Sequence, residues 1–429
     1  MTREDALEAL VAAYRQAHPG DEALDELDLP AWSADMQEVF AKSYPFADPQ
    51  YAGQMLKPPH PIAWLTYAAT MWVNPNNHAR DGGPHTTDLE LEAIDQLRGL
   101  FGWADQGFGH LTSGGTIANL EALWVAREVA GTRYVLHSHE AHYTHARMAA
   151  LLGLEAVAVE TDAEGRMVPE ALDHALATYP KACVVLSMGT TGTGSIDAAA
   201  TLIPIARRHG ARIHADAAYG GFFAVLCGTD HLAVADQTSF KALSNVDSIA
   251  IDPHKHGLQP YGCGAILYAD LEDVRPFGHD SPYTYYSSAA QHLGQISLEC
   301  SRAGAAAAAL ALTFRQLPLV QDGAFARGLA ASRRAAVGFA GAVAAHDNLQ
   351  CFRDPQLDIV VWSHVDERCN TALYEALQAQ KEPVYVSQFQ IEGKAFPWLR
   401  CVFMKPSHAD YIDTLMMAID AALSSLPSK

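Results

Sequence analysis

The sequence predicts an α/β fold: a mostly parallel sheet covered by helices on both faces, followed by a smaller α/β unit. Three observations carry this. From residue 108 to 270, short β-branched runs alternate with stretches of helical periodicity. One run, Ser248-Ile249-Ala250-Ile251, reads as a buried strand and leads straight into Asp252-Pro253-His254-Lys255. Most of the chemically unusual residues fall at such strand ends or at the helix starts that follow, where parallel α/β sheets bind ligands.

Residues 4–17 and 33–43 alternate acidic and apolar residues at helical spacing, with a Pro- and Asp-rich link between them. This arm, residues 1–57, has no obvious core of its own and is expected to pack on a partner subunit. Residues 58–85 are rich in Pro, His and Asn and read as loop and turn. Thr87 is the expected N-cap of a helix running to about Leu100, with Glu90 as its capping-box partner. Strands are expected at 134–137, 156–160, 183–188, 212–215, 248–251 and 265–268. Helices are expected at 117–128, 142–152, 169–178, 199–209 and 238–243. A Tyr-rich loop, Ser281 to Tyr286, precedes long helices at 301–316 and 322–346. Strands near 358–363 and 399–404 and a closing helix at 408–424 complete the chain. The organisation expected is therefore an arm (1–57), a large domain (58–320) and a small C-terminal α/β domain (321–429).

The 429 residues carry 29 Lys+Arg against 49 Asp+Glu, a net charge of -20. That argues against nucleic acid or an anionic membrane as a partner, since both need a basic footprint. Seven cysteines are scattered singly without a C-x-x-C pair, as expected of reduced cytoplasmic thiols. The first residues are acidic and periodic, unlike an export signal. The alanine-rich stretch 303–312 is the nearest approach to a membrane span and is too short for one.

Four constellations and one lysine carry chemistry. Thr112-Ser113-Gly114-Gly115-Thr116 is a small-residue turn feeding a helix, either an ordinary helix start or an anion cradle. It lacks a P-loop lysine and the dinucleotide spacing. His137, His139, His142 and His145 crowd nine residues and invite a metal reading, but no paired thiolate or H-E-x-x-H spacing supports it, so no metal is expected. His142 could instead stack on a heteroaromatic ring, the other three being hydrogen-bonded structural residues. Gly189-Thr190-Thr191-Gly192 offers hydroxyls after an apolar strand, or simply a glycine loop.

Asp216 ends a strand and needs a cationic or donor partner, because an isolated buried charge is costly. A protonated pyridine nitrogen is such a partner, and Ala218 is small enough to let a ring lie flat. Lys255, between His254 and His256, is costly to bury unless paired or chemically used. The order of cradle, stacking histidine, carboxylate and lysine, each at a strand end of one sheet, is far more specific than any member.

These residues resemble a known family. The motifs Thr87-x-x-Glu90, Ser113-Gly114-Gly115-Thr116, Ala141-His142-Tyr143-Thr144, His214-Ala215-Asp216-Ala217-Ala218 and Asp252-Pro253-His254-Lys255 are similar to those of pyridoxal-phosphate-dependent group II amino-acid decarboxylases. That group includes tyrosine, aromatic amino acid, aspartate and glutamate decarboxylases. The resemblance covers roughly residues 55–310, with an echo at 398–405, and leans toward bacterial and archaeal tyrosine or aspartate decarboxylases. One departure is His256, where animal-type relatives carry tryptophan.

The resemblance implies fold type I, the aspartate-aminotransferase-like architecture with a seven-stranded sheet, and a homodimer with the site at its interface. It implies pyridoxal 5'-phosphate as cofactor, Lys255 as Schiff-base lysine and Asp216 as partner of the pyridine nitrogen. His142 would stack on the ring, with Ala218 opposite. Gly114, Gly115, Thr116 and His254 would hold the phosphate, and Thr191, with Thr190, would lie near the ring oxygen. The activity implied is decarboxylation of a small-molecule L-amino acid, taken here as aromatic and tyrosine-like. Aspartate, glutamate and diamino acids are the alternatives, and an aminotransferase or a carbon–carbon lyase would be a different reaction on the same lysine. Tyr283 to Tyr286 is a candidate lid, and Arg400 is either a carboxylate ligand or an interior structural arginine.

Overall fold

The computed structural model describes residues 3–17, 28–278 and 292–426. The arm forms helices α1 (Arg3–Ala17) and α2 (Leu29–Lys42). Helix α3 (Pro61–Met71) then lies inside the segment expected to be loop. Its proline occupies the first turn, where the missing N–H costs nothing, so the proline-rich composition marks a helix start and not a break. Helix α4 (Pro84–Leu100) likewise opens on a proline, with Gly83 at the N-cap position.

That overturns the capping box. Thr87 falls inside the first turn, and Glu90 is a buried charge whose partners lie elsewhere. Its Oε1 accepts from Arg302 Nη1 at 2.6 Å and from the Leu111 N–H at 2.9 Å, and its Oε2 from Asn77 Nδ2 at 2.7 Å. The T-x-x-E pattern is real, but tertiary partners claim the carboxylate.

The large sheet contains β1 (Phe108–Thr112), β2 (Tyr134–Ser138), β3 (Glu155–Val159), β4 (Ala182–Ser187), β5 (Arg212–Asp216), β6 (Ser248–Ile251) and β7 (Gly264–Tyr268). Its spatial order is β1-β7-β6-β5-β4-β2-β3. The pairs among β2 to β6 are parallel, and β7 runs antiparallel to both β6 and β1. Two reversals cancel, so β1 points the same way as the parallel strands, and their carboxyl ends meet at one edge.

Helices α5 (Gly115–Ala130), α6 (Thr144–Leu151), α7 (Pro169–Thr178), α8 (Ala199–Arg208) and α9 (Val234–Ala242) connect these strands. All the expected strands and helices of this region appear, within a residue or two except at α9, which starts earlier. β1 was not anticipated. Its sequence, Phe-Gly-His-Leu-Thr, contains a glycine and a histidine and has no β-branched residue before Thr112.

Helices α10 (Gly304–Gln316) and α11 (Ala324–Ala344) lead to a second, antiparallel sheet. It contains β8 (Leu349–Cys351), β9 (Ile359–His364), β10 (Ser387–Phe389) and β11 (Trp398–Val402) in the order β10-β11-β9-β8. Helices α12 (Asn370–Gln378) and α13 (Ile412–Ser424) cover it. The two sheets have separate cores, one around Trp103, Phe222 and Leu186, the other around Trp362, Phe339 and Phe403. The Tyr283 to Tyr286 stretch lies outside the described residues.

Candidate active site

All nine residues proposed for the cofactor (Gly114, Gly115, Thr116, His142, Thr191, Asp216, Ala218, His254 and Lys255) line one cavity of 370 Å³ at the carboxyl edge of the large sheet. Each strand delivers its own group. β1 ends at Thr112 and turns through Ser113 and Gly114 into α5. Gly114 has φ +154°, a conformation that side chains rarely adopt, and the Cβ of any residue replacing Gly264 would fall 2.6 Å from its backbone. The tight approach aims the start of α5 into the cavity. The first N–H groups of a helix have no intrahelical acceptor, and those of Gly115 and Thr116 find no other partner among the described residues.

Asp216 ends β5. His145 Nε2 lies 2.8 Å from its Oδ2, and the Ala218 N–H donates to its Oδ1 at 3.1 Å. Burial pushes the Asp216 carboxyl up, but the hydrogen bond and charge of His145, with Lys255 beyond, hold it well below the usual carboxylate range. It is therefore an anion at the cavity wall. His145, fully buried on α6, is the residue that sequence reasoning set aside as structural. Its position, three residues after His142, was the signal. The His142 ring is held by its Nδ1 at 2.6 Å from Thr144 Oγ1, and burial lowers its pKa despite the nearby Asp216 charge, so the ring is neutral.

Lys255 sits in the turn between β6 and β7. Its Nζ lies 2.9 Å from Asp252 Oδ2, three residues back and almost fully buried. Burial opposes the ammonium, yet the Asp252 carboxylate raises its pKa above the ordinary lysine value, with Asp216 adding to the effect. Asp252 was quoted in the motif but given no role. The i, i+3 spacing across a turn could have revealed one. Its Oδ1 is a buried oxygen without a hydrogen-bond partner among the described residues. His254 is fixed by its Nδ1 at 2.9 Å from the Cys263 carbonyl, which leaves Nε2 3.5 Å from Asp252 Oδ2.

Thr191 and Thr190 reach the cavity from the β4 side. Arg400, on β11, donates to the carbonyls of Thr191 at 2.8 Å and Gly192 at 3.0 Å, and is 5% exposed. The structural alternative for Arg400 thus describes its contacts: it ties the small sheet to the threonine loop. A second tie runs from the same wall. Tyr219 Oη donates to the buried Asp358 at 2.5 Å, and His256 Nε2 lies 3.2 Å from the other Asp358 oxygen. His214 belongs to the core, between Ser248 Oγ and Asn119 Oδ1, and not to the site.

The sequence pattern of the family described as "Pyridoxal-dependent decarboxylase conserved domain" matches residues 47–321, more than half of the chain. The chain belongs to the pyridoxal-dependent decarboxylase family. It is 32% identical over 255 residues to a "Probable L-tyrosine/L-aspartate decarboxylase" of Methanothrix thermoacetophila, covering 58% of this chain and 62% of the relative. It is 28% identical over 343 residues to the aspartate 1-decarboxylase of Aliivibrio fischeri, covering 70% of this chain and 60% of the relative. The chain thus spans about three-fifths of the length of these two relatives. In fold it is similar to the crystal structure of mouse CSAD, with a TM-score of 0.82 and 22% identity over 97% of this chain and 92% of that one. The architecture is fold type I.

The family's cofactor is pyridoxal 5'-phosphate, and the residues present fit it. The cavity offers an amine at Lys255, an anion at Asp216, a neutral flat ring at His142 and unspent helix N–H groups at Gly115 and Thr116. Helix starts of this kind suit phosphate groups. Among the described residues no group of three or more His, Cys, Asp or Glu is placed to hold a metal ion. Nor is any helix of the described residues long and apolar enough to cross a membrane.

Proposed function

We propose that this chain decarboxylates an L-amino acid to the corresponding amine and CO₂, and that the substrate is aromatic and tyrosine-like. The observation that carries the reaction class is Lys255, paired with Asp252 in the same cavity as the ionised Asp216. When bound, pyridoxal phosphate supplies an aldehyde that captures amines and a conjugated ring that takes up the electron pair left by a departing carboxylate.

The protein's own residues do the rest. Asp252, 2.9 Å away, holds the extra proton on Lys255 Nζ, which must leave before the amine can react as a neutral nucleophile. Asp216 keeps its charge and would hold a proton on the cofactor's ring nitrogen, and His145 fixes its Oδ2. His142 gives the ring a flat neutral face, held in place by Thr144. Gly114, Gly115, Thr116 and His254 form the anion cradle. Ala218, small enough to let a ring lie flat, and Thr191 would also line the bound cofactor.

The tyrosine-like reading is supported by the exposed rings beside the site. Tyr143 packs at 4.3 Å on His142, and Tyr261 at 4.8 Å on His254. Aspartate is the second reading, because the Aliivibrio relative bears that name. Purified, cofactor-loaded protein assayed against the proteinogenic L-amino acids, scoring CO₂ and amine together, tests both. Tyramine with equal CO₂ supports the first reading and β-alanine the second. Keto acid without CO₂ would refute decarboxylation.

The working form is proposed to be a homodimer with the site at its interface. Support comes from α2, which has no buried residue and leaves Trp32, Val39 and Phe40 exposed. Light scattering that returns a monomer at assay concentration would refute it. The free cysteines accord with a cytoplasmic setting.

A further inference from the structure

A second cavity, of 690 Å³, lies where the 47–64 segment, the ends of α10 and α11 that face each other, and residues 404–407 converge. Lys255 lines the first cavity, and its neighbour His256 lines this one. The walls are mostly apolar, built by Pro58, Trp64, Leu258, Phe325, Leu329 and Met404. Two lysines interrupt them. Lys57 Nζ donates to the Met404 carbonyl at 3.3 Å, and Lys405 Nζ to the Tyr51 carbonyl at 2.5 Å. Neither ammonium has a carboxylate partner among the described residues.

Lys405 is buried and Lys57 half-buried, and withdrawing cations from water with only main-chain carbonyls as bonded acceptors is unfavourable. Burial brings each lysine down to about 8; for Lys405 the charge of Asp48 pulls the other way and that of Lys57 adds to the lowering. The charge of Asp358 favours the Lys57 ammonium, but that carboxylate is already shared between Tyr219 and His256. His256 is fully buried and lines the cavity; its Nε2 is turned to Asp358, and its Nδ1 has no hydrogen-bond partner among the described residues. Nothing in the proposed decarboxylation uses Lys57, Lys405 or this space.

We propose that this cavity binds a small organic carboxylate with an apolar body: the carboxylate between Lys57 and Lys405, the body against Trp64, Phe325 and Leu329. An anion there pairs both cations at once, and the walls accept a ring or short alkyl chain at the cost of little polar surface. An α-ammonium group on the same molecule meets two like charges. The site therefore takes carboxylic acids in preference to the amino acids that the first cavity is proposed to process.

Isothermal titration calorimetry on the full cofactor-loaded chain tests this with phenylacetate, inorganic phosphate and 2-phenylethanol as probes. Phenylacetate should bind, and the alcohol, which has the same body without the charge, should bind at least tenfold more weakly. Lys57→Met and Lys405→Met should each weaken phenylacetate at least tenfold, and Lys57→Arg should retain it. Lys255→Ala should leave this binding unchanged. The three-probe comparison on the unaltered protein reads the charge requirement even if one variant fails to fold. Absence of binding, as when a second copy of the chain fills the cavity, overturns the proposal. So does binding that disappears with Lys255→Ala, binding that survives both methionine variants, or phosphate bound as tightly as phenylacetate.

Discussion

Replacing Asp252 by Asn removes the charge 2.9 Å from Lys255 Nζ while keeping nearly the same volume. Two opposing influences act on that lysine: burial, which lowers its pKa, and the Asp252 carboxylate, which more than cancels the lowering. An opposite charge at this range moves a pKa by about 1–3 units, or roughly 1.4–4 kcal/mol. Without it, burial dominates, because Asp216 acts from farther away. The Lys255 pKa should therefore fall, and the neutral amine at pH 7.5 should become at least about tenfold more abundant.

The assay is capture of cofactor by the stripped protein, followed through the visible absorbance of the bound form across pH. In the parent the capture rate should climb with pH throughout the accessible range, as Lys255 loses its proton. In Asp252→Asn the climb should shift to lower pH, with faster capture at neutral pH. An unshifted profile would refute the argument that Asp252 sets the protonation of Lys255. Loss of capture in a folded variant would instead assign Asp252 to holding the cofactor.

The remaining predictions are simpler. Lys255→Ala should abolish turnover and the bound-cofactor absorbance, and normal activity in that variant would remove Lys255 from the mechanism. Asp216→Asn should still take up cofactor but lose turnover by about 100-fold or more, the scale expected when a preorganised charge is removed; an unchanged kcat would refute its role. Glu90→Gln strands the buried Arg302 charge and should cost about 3–5 kcal/mol of stability in denaturant unfolding. Adding Arg302→Met should recover part of that loss, and strict additivity would show that the two side chains are not coupled. Stability should also fall with acid. Burial depresses His214 to about 3 and His408 to about 4, below their ordinary 6.5, so the stability they confer is complete above pH 6.5 and lost as pH drops through those values. Asp197, raised by burial to about 6, pulls the opposite way together with Asp236 and Asp273, also raised by burial, while the depressed carboxyls of Asp216 and Asp358 act with the histidines. A denaturation midpoint flat from pH 7 to 4 would contradict this.

The sheet was legible because its strands are short β-branched runs between helical stretches, and the site because its reactive groups stand at the ends of those runs. Lys255, Asp216 and His142 each looked out of place beside an apolar strand. What composition concealed was context. Pro61 and Pro84 look like breakers and act as helix starts. Glu90 has the spacing of a local cap and serves Arg302, Leu111 and Asn77 instead. β1 could not announce itself because β7, the one strand paired with it among the described residues, lies far along the chain. The cavity of Lys57 and Lys405 is likewise invisible to spacing, since it unites residues from the two ends of the sequence.

That place of β1 in the sheet also has a consequence for how the protein comes off the ribosome. Residues 108–112 emerge early, but the strand that pairs with them is made only when residues 264–268 appear, and no other strand of the sheet offers β1 a hydrogen-bonding edge. Throughout that interval the turn through Gly114 has no β7 to pack against, and the start of α5 is not yet aimed. Nascent chains stopped before residue 264 should therefore be unable to hold phosphate, exposing an unpaired strand that invites association with other chains. Competence to bind cofactor arrives in a single late step of synthesis, when β7 slots between β6 and β1.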